Sequence, residues 1–176
     1  MTRLALACLG LILVLAACAP PPPQLGADGK PLPRVYKITN SAEVQFRMLD
    51  SVNALRQAAG ASDLELNAQL TAAAATHSRD MSLQNRPWHF GSDGSSPLQR
   101  VARTGYEGRF MGELISETFE TELETLAAWM EDPGTRELIL DTEAVDMGFS
   151  WKQDDNGRLW WVMITGAPGL AAQIQN

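Results

Sequence analysis

Asn156-Gly157, set between the apolar runs 147–152 and 159–165, constrains the fold of this chain more than any other feature. Asparagine and glycine accept the backbone of a tight reversal, so two apolar runs joined through Asp154-Asp155-Asn156-Gly157 predict an antiparallel hairpin. Phe149, Trp151, Trp160, Trp161 and Ile164 supply its apolar bulk. Upstream the period changes. After Ser41, the residues Val44, Met48, Val52, Leu55 and Ala59 recur at helical spacing, with Leu49 widening the stripe, until Gly60 stops it. Asn67 offers an N-cap to a second stripe, Leu70, Ala73, Ala74, His77 and Met81, which ends before Pro87. A loop with Gly91, Asp93 and Gly94 leads to a short helical turn at Pro97–Arg103, and 110–119 reads as a strand. From Thr121, Leu123, Leu126, Ala127 and Met130 return to helical spacing, with Glu122 and Glu124 in the first turn, where the helix dipole favours carboxylates. Helices early and an antiparallel sheet late make the fold class α+β.

The ends of the chain carry a different message. Arg3 precedes an apolar run over 4–17 that closes in Leu15-Ala16-Ala17-Cys18, the layout of a secretory signal ending in a lipobox. The run is shorter than the roughly 20 residues that a membrane-spanning helix needs. Removal of residues 1–17 and acylation of Cys18 are therefore expected, with cleavage of a plain signal peptide at an Ala-x-Ala site as the alternative. One acyl chain binds a bilayer only marginally, whereas several on Cys18 hold it there. Ala19, not an acidic residue, follows the cysteine, and resemblance to Gram-negative lipoproteins in this respect implies the outer membrane. Residues 18–40, with Pro20, Pro21, Pro22, Pro23, Gly26, Gly29, Pro31 and Pro33, read as an extended spacer of up to roughly 60 Å at polyproline spacing. A domain over 41–166 and a tail over 167–176 complete the expected organisation.

Cys8 leaves with the signal and Cys18 is consumed by lipid, so no thiol remains for a disulfide and the domain must be held by packing alone. The formal charge of −7 is dispersed along the chain, which makes nucleic acid and anionic lipid surfaces poor partners. There is no Gly-x-Ser-x-Gly elbow, and Gly91-x-x-Gly94 lacks the lysine and the strand-to-helix setting of a phosphate loop. Ser92, Ser95 and Ser96 are turn formers beside glycines before they are nucleophiles. The tryptophans serve more simply as hairpin core than as a base-stacking platform, since no basic stripe accompanies them.

Four positions remain as candidates for chemistry. His89 follows an aromatic residue in a polar, Gly-rich loop, where an imidazole either faces a cleft or is merely exposed. Glu113 follows Gly112 inside an apolar strand, so its carboxylate must face solvent or find a partner. Asp132, before Pro133, is an ordinary helix-ending turn residue or a third polar group for the same cleft. His77, on the apolar stripe of the second helix, reads as a satisfied core or wall residue.

The stretch 88–113, WHFGSDGSSPLQRVARTGYEGRFMGE, followed by Trp129 and by Asp132-Pro133-Gly134-Thr135-Arg136, resembles the CAP superfamily of cysteine-rich secretory, antigen and pathogenesis-related proteins in its short bacterial form. The resemblance covers 41–166 and implies a three-layer α-β-α sandwich with a central antiparallel sheet. It implies a cleft built from two histidines and two acidic residues, with His89 in the first histidine position, Glu113 as the glutamate of a Gly-Glu-Asn motif and Asp132 near the second acid. Leu114 stands where that motif has asparagine, and Thr135 where the second histidine is expected. A His89–Glu113 hydrogen bond is the pairing expected.

Zinc draws three or four ligands from imidazole, thiolate and carboxylate, and threonine is a poor one. No cofactor is therefore expected; zinc on His89 and Glu113 is the alternative. The function expected is that of a non-enzymatic, lipid-anchored envelope protein whose cleft around His89, Glu113, Asp132 and Thr135 binds a small molecule, lipid or envelope component, as some eukaryotic CAP proteins bind sterols or other lipids. The rivals are a metal-dependent hydrolase or peptidase with Glu113 as base and His89 as ligand or proton carrier, and a protein-interaction scaffold with a vestigial cleft.

Overall fold

The computed structural model describes residue 29 and residues 37–169. The expected signal peptide, Cys18, the spacer as far as residue 36 apart from Gly29, and the tail from residue 170 lie outside the described residues.

Helix α1, Ser41–Ala58, starts where the Asn40 side chain accepts from the Glu43 N–H, and it buries Val44, Met48 and Val52 along one stripe. The next residue on that stripe is Arg56, also buried, and Gly60 ends the run at φ +80°. A two-residue strand β1, Glu65–Leu66, follows; it is too short to show a period in the sequence, and it pairs in parallel with a later strand. Helix α2, Ala68–Gln84, begins as expected at Asn67, whose side chain accepts from the Gln69 and Leu70 N–H groups, and ends at Asn85 in the left-handed conformation. Helix α3, Pro97–Arg103, opens with a capping box between Ser96 and Gln99 and a proline in its first turn, where a missing N–H costs nothing.

Strand β2, Arg109–Glu117, leads to helix α4, Glu122–Glu131, capped by Thr121 and Glu124 in the same reciprocal way. A further helix, α5, Pro133–Leu140, follows at once. The sequence reading had no such helix. Asp132 does end α4, but its carboxylate then accepts from the Gly134 and Thr135 N–H groups and starts α5, so the turn residue is also an N-cap. Strands β3, Asp146–Gln153, and β4, Leu159–Ala167, form the expected hairpin. Its loop is one residue longer than a two-residue Asn-Gly turn. Gly157 N–H donates to the Asp154 carbonyl at 2.9 Å, Asp154 N–H to the Arg158 carbonyl at 2.9 Å, and only Gly157 takes positive φ, at +93°. That is a three-residue hairpin loop with glycine in the left-handed position.

The sheet order is β1-β3-β4-β2, with β2, β3 and β4 antiparallel and every residue of β4 buried. Alternate residues of β4 face two separate cores. Trp161 and Met163 join Val44, Met48 and Val52 of α1, Leu126 and Trp129 of α4 and Ile139 of α5, whereas Trp160, Val162 and Ile164 join Leu70, Ala74 and Met81 of α2 and Val101 of α3. A central strand covered on both sides has no polar face, which is why 159–165 reads as a nearly unbroken apolar run. The layers are thus α1, α4 and α5; the sheet; and α2 and α3.

The register then fixes the direction of Glu113. It pairs with Ile164, so it shares that residue's face and points toward α2 and α3, while Leu114, paired with Met163, enters the other core.

A concavity of about 530 Å³ lies beside the start of β2, lined by Asn67, Gln69, Tyr106, Asp146 and Pro168 among others. The Tyr106 hydroxyl donates to Asp146 Oδ2 at 2.7 Å, and a Cβ on Gly108 or Gly166 would come within 2.3 or 2.2 Å of that hydroxyl. Burial first, and then the Asp146 carboxylate, raises the tyrosine pKa above its ordinary value of 10.0. Below pH 10 the phenol is protonated whether or not the chain is folded. Above it only the unfolded chain ionises freely, so stability is expected to fall as pH rises past about 10. Urea titrations at successive pH values check this, and Tyr106→Phe should remove that part of the alkaline slope.

Candidate functional site

Glu113 is the hub of a polar cluster on the α2–α3 side of the sheet. Its side chain is 1% exposed, so each oxygen needs a donor within the protein. Helix α3 supplies Arg100, whose Nη2 lies 2.9 Å from Oε1 and 2.8 Å from Oε2. The loop after α2 supplies His89, whose Nδ1 is 2.9 Å from Oε1. Helix α2 supplies His77, with Nε2 at 3.5 Å from the same oxygen.

The hydrogen-bond partners assign the histidine protons. A backbone carbonyl only accepts, and His77 Nε2 lies 2.9 Å from the Trp88 carbonyl, so His77 carries its proton on Nε2. Burial, opposed by Glu113 and reinforced by the Arg100 charge, lowers the His77 pKa and keeps the ring neutral; among the described residues its buried Nδ1 lone pair has no partner. For His89 the acceptor is a carboxylate already held by a guanidinium, so Nδ1 carries a proton and donates, and Nε2 is the ring nitrogen not bound to Glu113. The His89 side chain is 50% exposed. The cluster therefore buries its charges and shows solvent one basic nitrogen.

Arg100 does more than pair with Glu113. Its Nη2 also donates to the His89 carbonyl at 2.9 Å and its Nη1 to the Ser95 carbonyl at 2.8 Å, so one guanidinium ties down both ends of the 89–95 loop. Within that loop Asp93 accepts from the Ser95 N–H and from Arg103, and Ser92 donates to Asp80 of α2. Beside His89, the Trp88 indole donates to Gln84 at 2.9 Å and carries the Arg86 guanidinium at 4.0 Å from its ring, while Phe90 tilts against it with centroids 5.5 Å apart.

The expected His89–Glu113 hydrogen bond is present, and Asp132 and Thr135 make hydrogen bonds of their own. They sit at the α4–α5 junction, in the layer on the other side of the sheet. Asp132 caps α5, and the Thr135 hydroxyl donates to the Trp129 carbonyl at 2.5 Å. Among the described residues, no hydrogen bond or ion pair joins either to His89 or Glu113. Two members of the cluster were missed by the sequence reading. His77 was placed on a buried helix face without its link to Glu113, and Arg100 was passed over. A buried carboxylate calls for a cation, but Arg86, Arg100, Arg103 and Arg109 all lie nearby in the chain, and spacing does not choose among them.

Zinc does not fit this donor set. Both Glu113 oxygens face Arg100, His77 Nε2 is spent on a carbonyl and its Nδ1 is shut inside the protein, so of the two histidines only His89 has a ring nitrogen within reach of solvent. Among the described residues, no three His, Cys, Asp or Glu side chains are arranged to hold a metal ion.

The family described as the cysteine-rich secretory protein family, CAP, has a model that matches residues 49–165. The uncharacterized protein YkwD of Bacillus subtilis is 27% identical over 120 residues, 68% of this chain and 46% of that protein, so the chain spans about half the length of the curated relative it matches. Among solved structures, an outer surface protein of Borrelia burgdorferi is similar with a TM-score of 0.66 at 18% identity, covering 77% of this chain and 99% of that one. An extracellular protein containing an SCP domain from Bacillus anthracis is similar with a TM-score of 0.60 at 18% identity, covering 73% of this chain and 44% of that one. At these identities the structural likeness is one of fold.

Proposed function

The chain belongs to the cysteine-rich secretory protein family, and from that premise we propose that it is a lipid-anchored envelope protein whose cleft around His89 and Glu113 binds a small molecule, lipid or envelope component. The observation that carries this reading is the half-exposed His89 ring, held through Nδ1 by a buried carboxylate and presenting Nε2 outward. A site of this kind recognises without needing to react: it is pre-oriented, and its charges are already compensated. The lipobox at Cys18 and the spacer to residue 40 support the envelope location, and the similar Borrelia protein is an outer surface protein.

Native mass spectrometry of the full chain, extracted in detergent and measured before and after a chelator, tests the proposal. The expected result is a lipid-sized or small-molecule adduct that survives the chelator and whose occupancy falls by about tenfold in His89→Ala, the loss of roughly one hydrogen bond to the ligand. Equal occupancy in His89→Ala and the parent protein would place the site elsewhere. A metal-sized adduct that the chelator removes and that Glu113→Ala lacks would overturn the reading in favour of the hydrolase, and no adduct in any state would favour the scaffold.

A further inference from the structure

The cluster contains a cation of its own. Arg100 is buried, with 2% of its side chain exposed, and spans both oxygens of Glu113 from one nitrogen. It also holds the His89 carbonyl, so it grips His89 twice: directly by the backbone, and through Glu113 by the imidazole. Asp132 and Thr135, from which a further cleft ligand would have to come, are engaged with backbone at the start of α5. His77, the third group facing Glu113, is spent on the Trp88 carbonyl.

We propose that Arg100 is a positioning residue that acts as the resident cation of this cleft: by holding Glu113 as an acceptor it fixes His89 in the Nδ1–H tautomer, so that Nε2 accepts a hydrogen bond from a hydroxyl-bearing ligand without any metal. This rests on the reading of His89 as the ligand contact. The ligand class follows from charge and valence. Arg100 and Glu113 cancel, so the pair holds no net charge to draw an ion, and in the Nδ1–H tautomer the other ring nitrogen of His89 is a lone pair that requires a donor. Without Arg100 the tautomer reverses. Stripped of Arg100, Glu113 loses the guanidinium that donates to both its oxygens and His89 loses the clamp on its carbonyl, so the contact between Nδ1 and Oε1 is no longer held. The half-exposed ring then returns to the Nε2–H form that histidine favours in water, which closes the acceptor.

Long-range proton–nitrogen correlation spectra of the ¹⁵N-labelled full chain in detergent micelles read both histidines at once. In the parent protein His89 is expected to show a protonated Nδ1 and a bare Nε2, the reverse of the form favoured by histidine in water, and His77 a protonated Nε2. In Arg100→Gln the His89 tautomer ratio should reverse by at least tenfold, whereas Arg100→Lys, which keeps the charge, should restore most of the parent pattern. His77 is the internal control: its Nε2–H signal persists if Trp88 and α2 are undisturbed, so a general loss of structure would move both rings and a loss of positioning only one. A protonated Nε2 on His89 in the parent protein would overturn the proposal even if Arg100→Gln did not fold. So would an unchanged His89 in a folded Arg100→Gln. Neither outcome bears on adduct occupancy in His89→Ala, by which the binding reading stands or falls.

Discussion

Gly148→Ala is expected to destabilise the domain by about 3 kcal/mol or more, since a side chain here meets backbone that cannot step aside. Gly148 lies in β3 directly beneath α2. A Cβ built on it would sit 2.2 Å from the Leu70 carbonyl carbon and 2.5 Å from the Leu70 carbonyl oxygen. Relief requires α2 to rise from the sheet, and α2 carries Leu70, Ala74 and Met81 of one core as well as His77 of the Glu113 cluster. Gly112→Ala is the fitting control. Its Cβ would meet only the Leu138 side chain, which can turn aside, so a smaller loss is expected. Urea denaturation monitored by tryptophan fluorescence should place the Gly148→Ala midpoint at least about 1 M below that of the parent protein, with Gly112→Ala in between. Equal midpoints for the two variants would mean that α2 does not lie as close to β3 as the structure has it.

Arg56→Met is the second large effect, expected at about 3–5 kcal/mol and a melting temperature lower by roughly 10 °C. Arg56 occupies the fourth position of the α1 stripe, where spacing alone would put an apolar residue. Buried, it donates from Nε to the Ser62 carbonyl at 2.7 Å, from Nη1 to the Ile139 and Asp141 carbonyls at 2.7 and 2.9 Å, and from Nη2 to the Ala144 carbonyl at 3.0 Å. Two of these acceptors lie at the end of α5, where the last carbonyls of a helix have no partner within it and the dipole favours a cation. Methionine fills the volume but leaves the carbonyls without donors. Arg56→Lys should recover little, because one ammonium cannot reach acceptors spread around a planar fork. Calorimetry of the three proteins gives the order: parent most stable, lysine and then methionine below it. A loss under about 1 kcal/mol in Arg56→Met would show that water replaces the guanidinium at these carbonyls.

Much of the secondary structure was legible in the sequence. Asn67, Ser96 and Thr121 start helices by local bonds to N–H groups two or three residues on, and such bonds depend on nothing distant. The hairpin came from residues adjacent in the chain, and the expected α-β-α layering from a resemblance carried by a short stretch. The elements not foreseen have equally physical causes. Strand β1 is two residues long and exists only because β3 offers it a parallel edge. Helix α5 begins at a residue that also ends α4, so its start signal was read as a stop.

At the candidate site the sequence alone required Glu113, inside an apolar strand, to face solvent or find a partner, and the family resemblance supplied His89. Which cation would meet that carboxylate, and whether His77 would join it, was decided by tertiary structure alone. The pairing of Glu113 with Ile164 turns its carboxylate toward α2 and α3. The packing of those two helices on one face of the sheet then brings residues 77, 89 and 100 to it. A buried charge specifies that a counter-charge must be found, but residue spacing carries no term for contacts between elements. Only the assembled sheet, with its register fixed and its helices packed on it, makes the choice among the arginines.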